Sequence, residues 1–178
     1  MQRFWPARDL AIIEFLDGTG IRASELCALR PRDIDWTTER PLLRVDEGKG
    51  NKNREVPLPS RTVHALNVWT SERAAHPKTT PQVASSRSLF IQNNGRPATT
   101  GWLDQLLRTL ADRASVQLPD GAVAHAFRHS YGLRTAMRGV RTNLISQLLG
   151  HQDPKTTAIY THAASRNLIA ALDDAGIL

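Results

Sequence analysis

Cysteine is almost absent from this 178-residue chain: Cys27 stands alone, which excludes an intramolecular disulfide and a cysteine-built zinc site. Its neighbours in the run LCAL are apolar, so it reads as a small buried hydrophobe. Long apolar runs are also missing. None approaches the ~20 residues needed to span a bilayer, and the start MQRFWPARDL lacks the apolar stretch of a secretion signal. A reducing, cytoplasmic setting with no membrane partner is the expectation. Lysine is scarce as well. Only Lys49, Lys52, Lys78 and Lys155 are lysines among 23 cationic residues; the rest are arginines. That bias suits forked contact with phosphate, and a GC-rich genome would produce it equally well.

What is present is ordinary globular material, 40% apolar and 22% charged, of a length that fits one domain. This composition excludes a disordered chain, a collagenous rod and a coiled coil as the main description. The net charge of +6 and pI near 10.2 suggest a polyanionic partner.

The apolar spacing predicts a helix over about 9–16, ended by Asp17-Gly18-Thr19-Gly20, and a short one over about 24–29 with Ser24 as cap and Pro31 at the exit. PLLRVDE and NREVPLP read as two extended runs joined by GKGNK, a hairpin with glycines at its turn. A helix over about 60–75 precedes a Pro/Ser/Thr-rich loop at 76–87, and SLFIQ with NNGRP reads as an extended piece and a turn. Further helices are expected over TTGWLDQLLRTLADRA with Thr99 or Thr100 as cap, over about 124–138 between Gly121 and Gly139, and over TNLISQLL with Thr142 as cap and Gly150 as stop. Two more follow over 153–160 and 165–172. The fold class is mainly α with a small antiparallel hairpin, that is, α+β.

Four constellations stand out. In TGIRASEL, Arg22 sits in the tight entry to a helix, a setting that favours anions. Solvation, or pairing with Glu25, is the ordinary alternative. In GKGNKNR three cations crowd a Gly-bearing hairpin tip; this is not a phosphate-binding P-loop, because the order of residues and the flanking elements differ. In HAFRH, His125 and Arg128 share a helix face. His125 and His129 look superficially like a zinc pair, but Ala126 stands where a general-base glutamate is needed, so His129 reads as packed or capping. In LLGH, His151 follows a helix stop, and Tyr160, one of two tyrosines, has the apolar neighbours Ala158 and Ile159.

Taken together, TGIRASEL, GKGNKNREVPL, HAFRHS and LLGHQDPKTTAIYTH resemble the tyrosine recombinase (phage integrase) family over about 9–164. The resemblance implies the catalytic-domain fold of that family and a site of Arg22, Lys49, His125, Arg128, His151 and Tyr160. Arg22 and Arg128 would clamp the scissile phosphate, Tyr160 would be the nucleophile, and Lys49 the donor to the leaving oxygen. Glu25 would orient Arg22. No metal and no cofactor is implied. Phe127 stands where Leu is more usual, and Asp153-Pro154 replaces a more common Ser-rich pair; neither is a reacting group.

The expected partner is double-stranded DNA, contacted by a wider cationic set: Arg30, Arg32, Lys52, Arg54, Arg134, Arg138 and Arg141. Residues 165–172 carry Leu168, Ile169 and Leu172, an apolar face that would dock on a neighbouring copy or pack on its own domain. The family carries a separate N-terminal DNA-clamping domain, so residues 1–178 are expected to be a single catalytic domain without the clamp. Two other readings remain at this level: a non-enzymatic DNA-binding remnant or modulator of a full-length recombinase, and a type IB topoisomerase, which the hairpin and Leu-Leu-Gly-His words fit less well.

Overall fold

In the computed structural model, residues 5–46, 53–75 and 88–150 are described. Their architecture is helical around a small sheet. Helix α1 (Pro6–Thr19) begins with a proline in its first turn, where no backbone N–H is needed. It buries Ala11, Ile12, Phe15 and Leu16. Helix α2 (Ala23–Ala28) follows at once, then a single 3-10 turn (Pro31–Asp33).

Strands β1 (Ile34–Asp35), β2 (Leu42–Val45) and β3 (Arg54–Pro57) form an antiparallel sheet in the order β1-β2-β3. The expected hairpin is therefore found, with Leu43 opposite Val56 and Val45 opposite Arg54. The two-residue β1 was not foreseen. Helix α3 (Ser60–Ala75) occupies the predicted span and packs on α1. A bridge from Ile91 to Pro97 closes the next turn, as expected of SLFIQ–NNGRP. Helix α4 (Thr100–Arg113) is capped by the Thr99 hydroxyl, which accepts from the Trp102 N–H at 3.3 Å. Helices α5 (Val123–Met137) and α6 (Thr142–Leu149) complete the described chain.

One core runs from α1 through the sheet to α4 and the start of α5, with Trp69, Phe15, Phe90, Leu43 and Leu103 inside it. Cys27 packs against this core, and burial pushes its thiol up to about 11, so it stays a thiol at neutral pH. A smaller cluster of Ala136, Ile145 and Leu149, flanked by Tyr131, joins α5 to α6. Buried Arg8 ties α1 to the turn at 91–93 through the Ile91 carbonyl (3.1 Å) and Asn93 (2.7 Å).

Some predicted boundaries are corrected. Helix α1 is longer at both ends than 9–16. Helix α2 is capped not by Ser24, which is exposed, but by Arg22 at the cap position, its backbone N–H donating to Glu25. Arg141, not Thr142, precedes α6. His129 is exposed rather than packed. The hairpin tip at 48–52, the loop at 76–87 and the helices expected over 153–160 and 165–172 lie outside the described residues. None of the described helices is long and apolar enough to cross a membrane.

Candidate active site

The site is built where the end of α1, the start of α2, strand β3 and the C-terminus of α6 meet. Gly20 closes α1 in the left-handed region (φ 62°), its N–H returning to the Leu16 carbonyl at 3.1 Å. A Cβ at this position would lie 2.6 Å from a Tyr131 ring carbon and 2.9 Å from a Leu149 methyl. Glycine therefore serves twice, for its backbone angle and for the close approach of α5 and α6. The turn it makes delivers Arg22 to the cap position of α2.

Helix α6 ends on Gly150, also left-handed (φ 64°), and leaves carbonyls without intrahelical partners. Each of the last three takes a different arginine. The Arg54 Nε donates to the Leu148 oxygen at 2.9 Å, Arg128 donates to the Leu149 oxygen, and Arg22 donates to the Gly150 oxygen. Arg128 also donates to the Gly20 oxygen at 2.9 Å. The negative end of the helix dipole helps to hold all three guanidiniums there. Thus Arg22 from α2 and Arg128 from α5, 106 positions apart in sequence, are brought to one helix end. Arg128 is buried, while the Arg22 side chain is 37% exposed and opens to solvent.

Glu25 lies below Arg22 with its side chain 11% exposed. Its Oε1 accepts from Arg22 (2.7 Å) and Arg54 (3.0 Å), and its Oε2 from the Arg22 backbone N–H (2.7 Å) and Arg54 (2.7 Å). Burial alone raises such a carboxyl, but the bonds from Arg54 and Arg22 outweigh it and hold Glu25 below its usual range. It is an ionised acceptor with its lone-pair sites engaged.

His125 is exposed on the first turn of α5, three residues before Arg128. Lys49, His151 and Tyr160 lie outside the described residues, as does Lys52. Of the other cations assigned to DNA, Arg30, Arg32, Arg138 and Arg141 are exposed. Arg134 is 39% exposed and paired with Asp17 (2.5 Å). Arg54 requires a correction: its side chain is only 8% exposed and is turned inward onto Glu25 and Leu148, so it is not part of a solvent-facing surface. Strand alternation carried the signal. In Arg54–Pro57 the pattern is buried, exposed, buried, exposed, which puts Arg54 on the face of buried Val56. Gly20 was likewise readable only as a helix stop.

The model of the "Phage integrase family" matches residues 3–167. The chain is 36% identical over 173 residues to the tyrosine recombinase XerC of Erythrobacter litoralis, covering 95% of this chain and 51% of that protein. Its structure resembles a crystal structure of XerA recombinase (TM-score 0.77, 28% identity, 95% of this chain and 58% of that one). It also resembles the XerH site-specific recombinase bound to its difH substrate in a pre-cleavage complex (TM-score 0.73, 25% identity, 90% and 45%). The chain spans about half the length of the curated relatives it matches. With 165 consecutive residues fitted by one family model, the chain belongs to the phage integrase, or tyrosine recombinase, family.

Proposed function

We propose that this chain is the catalytic domain of a site-specific DNA recombinase, which cleaves and rejoins duplex DNA without metal or ATP. The observation that carries this reading is the delivery of Arg22 and Arg128, from separate helices, to one helix end. A phosphodiester gains negative charge on its non-bridging oxygens when attacked. Two forked guanidiniums stabilise that charge more in the transition state than in the ground state.

In this mechanism the Tyr160 oxygen attacks the scissile phosphorus, and the bond from phosphorus to the 5′-oxygen breaks. A phenol of pKa ~10 must lose its proton as the new bond forms. Exposed His125 accepts or relays that proton, and His151 hydrogen-bonds the phosphate. Lys49 on the hairpin protonates the departing 5′-oxygen. The products are a 3′-phosphotyrosyl link and a free 5′-hydroxyl. The link conserves the phosphodiester bond energy, so attack by another 5′-hydroxyl rejoins the strand with no external energy source. Exposed Arg30, Arg32, Arg138 and Arg141 contact the DNA backbone. Residues 165–172 dock on a neighbouring copy bound to the same DNA, and the protein works in the cytoplasm.

A nicked duplex carrying the target site tests this reading, because the fragment lost after cleavage traps the covalent product. Wild-type chain forms a protein–DNA adduct and Tyr160→Phe forms none. Clear binding with no adduct from the wild type overturns the enzyme and leaves a DNA-binding protein.

A further inference from the structure

Helix α5, which carries His125 and Arg128, begins without a side-chain cap of its own. Ala122 stands at the cap position, and the first turn, which includes His125, holds no acidic residue. The acceptor comes instead from α4. The Asp104 Oδ1 accepts from the Val123 N–H at 3.1 Å. Arg108, one turn along α4, donates its Nε to the Asp104 Oδ2 at 2.7 Å and a terminal nitrogen to the Gly121 oxygen at 2.8 Å. The residue between is held by His125 itself, whose backbone N–H donates to the Ala122 oxygen at 3.0 Å. Resting on the recombinase reading, we propose that Asp104 is a positioning residue for His125: with Arg108 it clamps residues 121–123 and so fixes the turn of α5 on which His125 stands.

The physical basis is the state of an uncapped helix start. Its first N–H groups have no partner within the helix, so the opening turn frays unless an acceptor is supplied from outside. A carboxylate suits this place, because it also meets the positive end of the helix dipole. The bonds from Arg108 and the Val123 N–H hold Asp104 below its usual range, so the acceptor is ionised at neutral pH. Fraying of this turn bears less on Arg128, which stands one turn further along and whose guanidinium is fixed from elsewhere, on the Gly20 and Leu149 oxygens. The clamp therefore acts on the residue that moves a proton more than on the residue that holds phosphate.

The variants are Asp104→Ala, which removes the acceptor, and Asp104→Asn, which keeps an oxygen for the Val123 N–H and caps a helix about as well. The Asp104 side chain is 36% exposed, so neither opens a cavity in the core, and thermal melts establish folding. Amide hydrogen exchange in the full chain without DNA reads the turn itself. Single-turnover cleavage of a nicked target duplex at saturating DNA reads the consequence. Asp104→Ala raises exchange at Val123 and His125 about fivefold and leaves the α5 amides from Arg128 onward within about twofold of wild type. It slows cleavage about fivefold, with DNA affinity within about twofold of wild type. Asp104→Asn stays within about twofold of wild type in every measurement. A role confined to holding the fold would instead raise exchange along the whole of α5 and lower DNA affinity together with the rate.

The proposal is overturned if Asp104→Ala exchanges like wild type at Val123 and His125, or cleaves like wild type. It is also overturned if exchange rises along the whole of α5, if DNA affinity falls as far as the rate, or if Asp104→Asn loses as much as Asp104→Ala. An Asp104→Ala chain that fails to fold assigns Asp104 to the fold and overturns it too. Local exchange that depends on Asp104 in a chain that never forms a DNA adduct rejects the recombinase reading and keeps the placement of His125 by Asp104. A Tyr160-dependent adduct with none of these effects rejects this proposal alone.

Discussion

Two buried arginine–carboxylate groups lie at the two ends of α1, and they are organised differently. At the start, Arg8 (1% exposed) meets Asp9 (2% exposed) at 2.7 Å, between the rings of Trp102 and Trp5, with its guanidinium carbon 4.9 and 5.7 Å from their centres. One carboxylate faces one guanidinium, and the Asp9 Oδ2 has no hydrogen-bond partner among the described residues. Beyond the other end, Glu25 serves Arg22 and Arg54 with both oxygens, and one of those arginines opens to solvent. The titration of the two acids follows from this. Burial outweighs Arg8, the Trp5 backbone and the more distant charge of Arg113 and raises Asp9, whereas at Glu25 the bonds from Arg54 and Arg22 outweigh burial and lower it. The fully buried group is a structural pair, and the less buried one is a cationic group whose Arg22 reaches solvent.

The largest effect on stability is expected at the closed pair. Arg8→Met leaves Asp9 as a buried charge and removes the contacts to Trp102, Ile91 and Asn93. It costs about 3–5 kcal/mol in urea unfolding. Arg8→Met/Asp9→Asn removes both charges and recovers most of that loss. A single variant as stable as wild type would erase the distinction between the two groups.

A smaller effect sharpens the comparison through pH. Glu25 titrates below its ordinary 4.5 in the folded chain, so its contribution is full above pH 4.5 and is lost as pH falls through the folded value. Asp9 titrates above its ordinary 3.8, so it contributes with the opposite sign: stability present at lower pH is lost as pH rises through its folded value. Glu25→Gln therefore flattens the acid limb of stability below pH 4.5, by up to about 1.4 kcal/mol per pH unit. An unchanged slope contradicts the donor count at Glu25.

How much of this was legible in the sequence depends on the range of the cause. Local causes could be read: the Thr99 cap, the Gly150 stop, the α3 span and the β2–β3 pairing each follow from neighbouring residues. Arg22, Glu25 and Arg128 were singled out from their motif words, although nothing in those words says that they share the end of α6. The partners of Arg54 are 29 and 94 positions away. Charge at a hairpin suggested a solvent-facing role, and only the strand alternation pointed inward. Ser24 looked like the better cap, but Glu25 satisfies the cap N–H from inside the helix. Arg8 gave no sign at all, since its burial is created by tryptophans before and far after it.

The measurement that bears most directly on the central claim, that the open group serves phosphate and the closed group serves the fold, is single-turnover cleavage of a nicked target duplex by Arg22→Ala beside Arg8→Met/Asp9→Asn. The account predicts that Arg22→Ala melts close to wild type yet cleaves at least ~100-fold more slowly, while the folded Arg8/Asp9 variant cleaves within about threefold of wild type. Wild-type cleavage by Arg22→Ala, or an equal loss in both variants, would contradict it.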